Sequence, residues 1–550
     1  MVSSFMLSIW FLTLVPVSYG LNVLMITLGA AGHVIPMFEL AKSMKNHNVT
    51  FITALHAQSY INFESYAKLS SFRIIYTNDS TDAFINEKKR EKQVVEYFMN
   101  HSLLESVDYM ISRISPVINT LMTKSVNLLM SERYDVIIGT SLTIGTHLLC
   151  KQANASCVII ILENQLNRFD VNQPISNSLL SSKHLTELKY RIYNFVLTLR
   201  LTIPLFKTVF KMYYRIFHSY PQVPGPFYEV FTLRNILRTK SNCLKLISLP
   251  PTLYPPSSLY HDTKYLGGFV DNSSIEYVEN DLTRWIKSKP PKSIVYVAFG
   301  SISVLSQVRM KNLIYGLAEF LLQKDSISAL LAFRNTNYEN YQIVLNEMEH
   351  DQYRQVLMND QRVKVENGFI QQKWLLQQNS ISIFISHCGM GSIVEGLYFE
   401  KLIICLPLCT DQFSNAISIY HSGVGESLFV PPSLWKLFLN PLDFHDYVFS
   451  ASDVTTKLLA IWRNTSYEQA VRMMSLEIKH AGGVRKAVEE IEHFVNLNGS
   501  LDRYKPFYNT LPFYQRYLLD IIFVCIILPS VIIYYLCVKY CNRNRKAKKD

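Results

Sequence analysis

Short, nearly unbroken apolar runs, each followed by a longer stretch with helical spacing, set the tightest limit on how this chain folds. In the first half they are LNVLMITLG (21–29), VTFITA (49–54), FRIIYT (72–77), YDVIIG (134–139) and CVIIIL (157–162). In the second half they are SIVYVAF (293–299), SALLAF (328–333), ISIFIS (381–386) and LIICLP (402–407). A strand that is apolar at nearly every position must be covered on both faces, as in the parallel sheets of α/β proteins. Between the halves lies a proline-rich stretch, Leu249-Pro250-Pro251 with Pro255-Pro256, which reads as a linker. The expected fold class is therefore α/β, with two doubly wound Rossmann-like domains facing a cleft. The N-terminal domain is expected over 21–245, the linker over 246–268 and the C-terminal domain over 269–496. In such folds ligands bind at the carboxyl ends of the strands.

The two ends of the chain read differently. Residues 1–20 join an apolar run to Val17, Ser18 and Gly20, small residues suited to cleavage, and read as a signal peptide rather than a buried first helix. A second apolar run over 518–538 is long enough to cross a bilayer as a helix, and Pro529 is tolerated there. A lumenal stalk is expected over 497–517. The net charge is +11, of which the tail 539–550 carries +5, so the rest of the chain has no basic excess that would suggest nucleic acid. The positive-inside rule makes that tail cytosolic, giving a single-pass type I membrane protein. Lys546 and Lys548 match a dilysine-type retrieval signal, which points to the endoplasmic reticulum. Seven Asn-x-Ser/Thr sequons, at Asn48, Asn78, Asn100, Asn154, Asn272, Asn464 and Asn498, lie on the lumenal side of this topology. Nine cysteines include no CxxC pair, which argues against zinc; six could pair in the lumen, with no connectivity legible. Residues 190–220 mix aromatic, basic and aliphatic side chains, fitting either a surface helix at a membrane or lipophilic substrate, or a packed helix with snorkelling lysines.

The chemistry concentrates between Phe369 and Gln412. A strand ends at Ser386-His387, Gly389 follows, and a helix starts near Ser392. Strand, glycine turn and helix start present backbone N–H groups and the positive end of a helix dipole to an anion such as a diphosphate. His387 can donate to a phosphate oxygen. Glu395, one turn on, can accept from ribose hydroxyls. Asp411 and Gln412 end the next strand–loop unit, where they can read sugar hydroxyls. In the first half, Gly32-His33-Val34-Ile35-Pro36 follows the first strand and puts a histidine at the cleft.

This stretch resembles the signature of the UDP-glycosyltransferase family, in its membrane-bound, glucuronosyltransferase-like branch. The spacing agrees without a gap from Phe369 to Gln412. The resemblance implies the GT-B fold, a UDP-sugar donor and inversion at the anomeric carbon. It assigns Phe369 to stacking on uracil, Gln372 to the nucleoside, His387 with Gly389 and Ser392 to the phosphates, Glu395 to the ribose, and Asp411 with Gln412 to the sugar. Phe299-Gly300-Ser301 matches a loop whose serine, Ser301, reaches the diphosphate. Leu266-Gly267-Gly268, Arg485-Lys486-Ala487-Val488 and Leu511-Pro512-Phe513-Tyr514-Gln515 match further family segments, so the likeness covers nearly the whole chain. His33 matches the family's catalytic base. The aspartate that orients this base in the family aligns with Thr140, which can accept a hydrogen bond but brings no charge. In serine hydrolases, loss of the analogous carboxylate charge costs about 10⁴ in rate. Asp135 lies at the start of the same strand, far from that place. Phe369 replaces a tryptophan, Gln371 a proline, Cys388 a glycine and Gly391 an asparagine. No Asp-x-Asp pair occurs, so no metal cofactor is expected.

Two function classes follow. One is an enzyme that transfers a hexosyl group, glucose or glucuronic acid, from a UDP-sugar to a hydroxyl of a small lipophilic acceptor. The other is a non-catalytic or weakly active relative that binds a lipophile or UDP-sugar, or that partners an active relative. Homo- or hetero-oligomers are compatible with both. A dehydrogenase reading of Gly29-Ala30-Ala31-Gly32 fails, because the spacing is not GxGxxG.

Overall fold

The computed structural model describes residues 20–61, 71–77, 93, 97, 101, 103–143, 145–162, 173–174, 178–200, 207, 243–255, 261–270, 279–301, 303–359, 361–368, 370–409, 411–439 and 447–546. The expected signal peptide (all but Gly20), most of 201–220, Phe369 and the last four residues lie outside this set. The chain divides into a unit that ends at Gly499 and a second unit of residues 500–550 with 260–262.

Each of the nine strand-like apolar runs forms a strand. In the first lobe these are β1 (Asn22–Ile26), β2 (Asn48–Ala54), β3 (Phe72–Thr77), β4 (Val136–Thr140) and β5 (Ser156–Ile161), followed by β6 (Leu244–Ile247) and β7 (Thr263–Tyr265). All pair in parallel, in the order β3-β2-β1-β4-β5-β6-β7. In the second lobe β8 (Ile294–Ala298), β9 (Ser328–Ala332), β10 (Val363–Glu366), β11 (Ile381–Ser386), β12 (Leu402–Cys405) and β13 (Gly425–Ser427) pair in parallel in the order β10-β9-β8-β11-β12-β13. The central strands are buried along nearly all their length, with Leu24, Ile26, Val136, Ile138, Ile294 and Val297 wholly inaccessible. Each such side chain contributes about 1.5–3 kcal/mol of transfer free energy.

The expected linker of 246–268 is corrected by these pairings. It contains the end of β6 and all of β7, so the first sheet continues through the proline-rich stretch. The strand TKY at 263–265 is too short and polar to show as an apolar run; it is recruited by hydrogen bonding to β6. The strands β10 (VKVE) and β13 (GES) escape sequence detection for the same reason: both are edge strands.

Both sheets reverse strand order once, between β1 and β4 and between β8 and β11. Each reversal sends the flanking crossovers to opposite faces and leaves an open crevice at the carboxyl ends. Four helices border these crevices: α1 (Ala31–Ser43) after β1, α2 (Gln372–Gln377) before β11, α3 (Met390–Tyr398) after β11 and α4 (Gln412–Ser422) after β12. Helix α5 (Thr465–His480) packs on α3, and helix α6 (Gly483–Asn496) runs back to pack on α1. The His47 ring on the first lobe meets Glu492 on α6 at 2.9 Å, and Glu477 on α5 accepts from the Thr252 backbone N–H. Two disulfides, Cys157–Cys243 and Cys388–Cys405, staple β5 to the segment entering β6 and the loop after β11 to β12.

Residues 190–200 are helical. Their Tyr193 and Leu197 pack in a core with Phe413 and Ile417, while Ile192, Phe195 and Leu199 face solvent. In the second unit, Leu519–Tyr540 is long and apolar enough to cross a membrane, by length and composition.

Gly267 has φ of +73°, and a Cβ there would lie 2.4 Å from the Ile478 carbonyl oxygen in α5. Gly267→Ala is therefore expected to lower stability by about 1–3 kcal/mol, read as a fall in the unfolding midpoint. A midpoint equal to wild type would show that the lobes are not held together at this glycine.

Candidate functional site

The second-lobe crevice is built around His387. This residue follows β11 and is buried, with its ring enclosed by two glycines from the two sides of the strand reversal. A Cβ on Gly300, after β8, would sit 2.8 Å from the ring's Cε1, and one on Gly389 would sit 2.5 Å from Nε2. Gly300 also has φ of +68°, a left-handed conformation that L side chains adopt at a cost. Burial pulls the His387 pKa down to about 4. At neutral pH the ring is uncharged and offers one N–H donor.

The N-terminus of α3 opens next to this ring. Its N-cap is Gly389, and no side chain caps it, so its first N–H groups stay available to an anion. Cys388 has φ of +59°, and its N–H donates to Ser386 Oγ at 3.1 Å. The disulfide to Cys405 ties this left-handed residue to β12. Ser301 lies half-buried on the loop after β8.

One turn into α3, three residues named from the sequence come together. The Gln372 side-chain amide donates to Glu395 Oε2 at 2.7 Å and to Ser392 Oγ at 3.3 Å. Burial pushes the Glu395 carboxyl above its ordinary pKa, with nearby Glu39 adding to the rise; the Gln372 bond and Lys373 pull it back. A half-buried carboxylate with one amide partner has lone pairs left for hydroxyl donors.

Asp411 and Gln412 stand at the start of α4, on the same side. Asp411 accepts from Asn415 Nδ2 at 2.9 Å. Gln412 is buried, and its side-chain oxygen accepts from the Leu408 and Cys409 backbone N–H groups at 2.8 and 3.0 Å. Its amide thus shapes the loop after β12. Asn415 was not picked out from the sequence. It also donates to the Cys388 carbonyl at 3.0 Å and accepts from Tyr254 of the proline-rich stretch, tying three loops together. The signal was present in Asp411-Gln412-x-x-Asn415, where i and i+4 share a helix face.

The first-lobe crevice holds His33 and Thr140. His33 lies in the first turn of α1, and Thr140 ends β4. The register pairs Ile26 with Gly139, so β1 and β4 end side by side. Among the described residues no hydrogen bond joins the two side chains: His33 Nδ1, Thr140 Oγ1 and the neighbouring Ser141 Oγ are buried without partners there. Each orphan costs about 1–3 kcal/mol, a cost that marks functional sites. Burial without a carboxylate pulls His33 down to about 4. Asp135 sits at the opposite end of β4, where it accepts from the Asn22 backbone N–H at 2.7 Å.

Comparison with known proteins agrees with this geometry. The sequence profile of the UDP-glucoronosyl and UDP-glucosyl transferase family matches residues 27–550. The chain is 28% identical over 172 residues to a flavanone 7-O-glucoside 2''-O-beta-L-rhamnosyltransferase of Citrus maxima, covering 31% of this chain and 36% of that protein. It is 27% identical over 178 residues to mogroside I-E synthase of Siraitia grosvenorii, covering 32% and 33%. The chain thus spans about a third of the length of the curated relatives it matches. Among solved structures, Os79 of O. sativa in complex with UDP covers 87% of this chain and all of its own, with a TM-score of 0.56 and 14% identity. That likeness concerns the fold, which is GT-B.

Glu395→Gln removes the charge that hydroxyl donors would meet. The expected outcome is a loss of UDP affinity of about 10- to 100-fold, measured by titration calorimetry. Unchanged affinity would remove Glu395 from the donor site.

Proposed function

This chain belongs to the UDP-glucoronosyl and UDP-glucosyl transferase family, and from that premise we propose that it transfers a hexosyl group, glucose or glucuronic acid, from a UDP-sugar to a hydroxyl of a small lipophilic acceptor. The observation that carries this reading is the cluster Gln372–Ser392–Glu395 beside the uncapped start of α3 and the neutral His387. The ribose hydroxyls donate to Glu395, and the diphosphate accepts from the first N–H groups of α3, from His387 and from Ser301. The resemblance assigns Phe369 to the uracil; Asp411 is assigned to the sugar, with Gln412 holding the loop beside it. The helix N-terminus and His387 take the place of a metal at the diphosphate. The names of the relatives, among them a flavanone glucoside rhamnosyltransferase, support a small acceptor.

In the reaction, the acceptor oxygen attacks the anomeric carbon from the face opposite UDP. The C–O bond to the diphosphate breaks, its electrons leave with UDP, and the configuration inverts. His33 takes the acceptor's proton, and Thr140, which is not bonded to the ring in the resting site, turns to accept from the resulting imidazolium. With its pKa near 4, His33 is unprotonated at neutral pH but is a weak base. Thr140 is the feature that favours the second reading, a weakly active or non-catalytic binder, because no charge stabilises the imidazolium. We also place both lobes in the lumen of the endoplasmic reticulum, anchored by 519–540, with the basic residues beyond that helix on the cytosolic side.

The test is a transfer assay on the full chain in membranes, with a panel of UDP-sugars against phenols and sterols and with His33→Ala as control. Transfer that disappears in His33→Ala supports the enzyme; UDP binding without transfer supports the binder. The acid limb of kcat/KM is expected near pH 4, since activity falls as pH drops through the pKa of the base. Thr140→Asp puts a carboxylate at the end of β4, beside the end of β1; if it reaches the His33 ring it raises that pKa, so the limb is expected to move to higher pH and the plateau rate to rise. A limb that stays in place would show that His33 is not the base or that the carboxylate does not reach it.

A further inference from the structure

Glu39 is an unusual residue for its place. It lies on α1, six residues beyond His33, and is 8% exposed. A buried carboxylate needs partners. One is Lys42 on its own helix, at 2.8 Å. The other is Lys373 in the opposite lobe, whose Nζ lies 3.3 Å from Glu39 Oε2. Lys373 follows Gln372, the residue bonded to Glu395 and Ser392. The backbone of Gln372-Lys373 therefore links the polar contacts at the ribose end of the donor site to the ion pair on the helix that carries His33.

Helix α1 has reason to depend on such a tie. Pro36 lies inside it and has no N–H, so the Gly32 carbonyl lacks its usual partner in the helix. The first turn is held by the His33 and Val34 N–H groups on the Ala30 carbonyl, at 2.9 Å each. The direction of that turn is thus set by what holds the rest of the helix. Buried ion pairs add little net stability, because desolvation offsets attraction, but they fix register between packed elements.

We propose that Glu39 is a positioning residue: its buried pair with Lys373 locks α1, and with it His33, to the ribose end of the donor site, so that a bound UDP group is felt at the base. The inference rests on the donor site proposed above.

The test is hydrogen exchange of residues 31–43 in the full membrane-anchored chain, with and without UDP, in wild type, Glu39→Gln, Lys373→Gln and the double variant. The double variant removes both charges of the inter-lobe pair, so neither Glu39 nor Lys373 is left buried without the other, although Lys42 also loses its Glu39 partner. UDP is expected to slow exchange of 31–43 in wild type. In all three variants UDP should still bind, within about 3-fold of wild-type affinity, while the slowing is lost. The double variant should match the singles, because the pair acts as a unit. In turnover, Glu39→Gln should lower kcat and leave KM for the UDP-sugar nearly unchanged. UDP binding with equal slowing in wild type and variants would overturn the inference alone. A wild-type chain that does not bind UDP would overturn the donor site and this inference together.

Discussion

The reversal of strand order in each parallel sheet is the constraint on which the rest depends. A parallel strand needs a crossover, and the crossover must cover one face or the other. Where consecutive crossovers leave for opposite faces, the carboxyl ends of two adjacent strands have nothing above them. In the first lobe that gap falls between β1 and β4, where His33 and Thr140 stand. In the second it falls between β8 and β11, where Gly300 and His387 stand. The site residues come from segments hundreds of positions apart because these are the places the sheet cannot fill.

Burial does different work at the two gaps. At His387 it keeps the ring neutral, and the glycines on either side let backbone approach where a side chain would collide. A neutral donor beside an open helix start suits an anion, since no positive charge has to be desolvated. At His33 burial also keeps the ring neutral, but here a charge must form in the reaction. An adjacent carboxylate would offset that, and Thr140 does not. The orphaned Nδ1 and Oγ1 are the structural trace of the missing charge.

The sheets were legible because a strand covered on both faces has to be apolar at nearly every position, and that pattern survives in one dimension. β7, β10 and β13 left no such mark. They are short, lie at sheet edges and hold their place by backbone hydrogen bonds, to which sequence is nearly indifferent. The same limit explains the linker, whose prolines announced a break while β7 rejoined the sheet within it. Among the site residues, His33, His387, Ser392 and Asp411 stand at strand and helix ends, with Glu395 one turn on, where the order of elements and the family resemblance locate them. Asn415 and Glu39 do not, because what makes them matter is a partner from another segment.

The sequence by itself determined the α/β class, the two lobes, the family and the apolar helix near the end of the chain. It did so because local apolar spacing and short motifs are read within a few tens of residues. Tertiary structure alone decided the disulfide pairing, the absence of a hydrogen bond between His33 and Thr140, the depressed pKa values of both histidines and the Glu39–Lys373 pair. Each of these depends on distance and solvent exclusion between residues remote in the chain, and those quantities exist only once the lobes have packed.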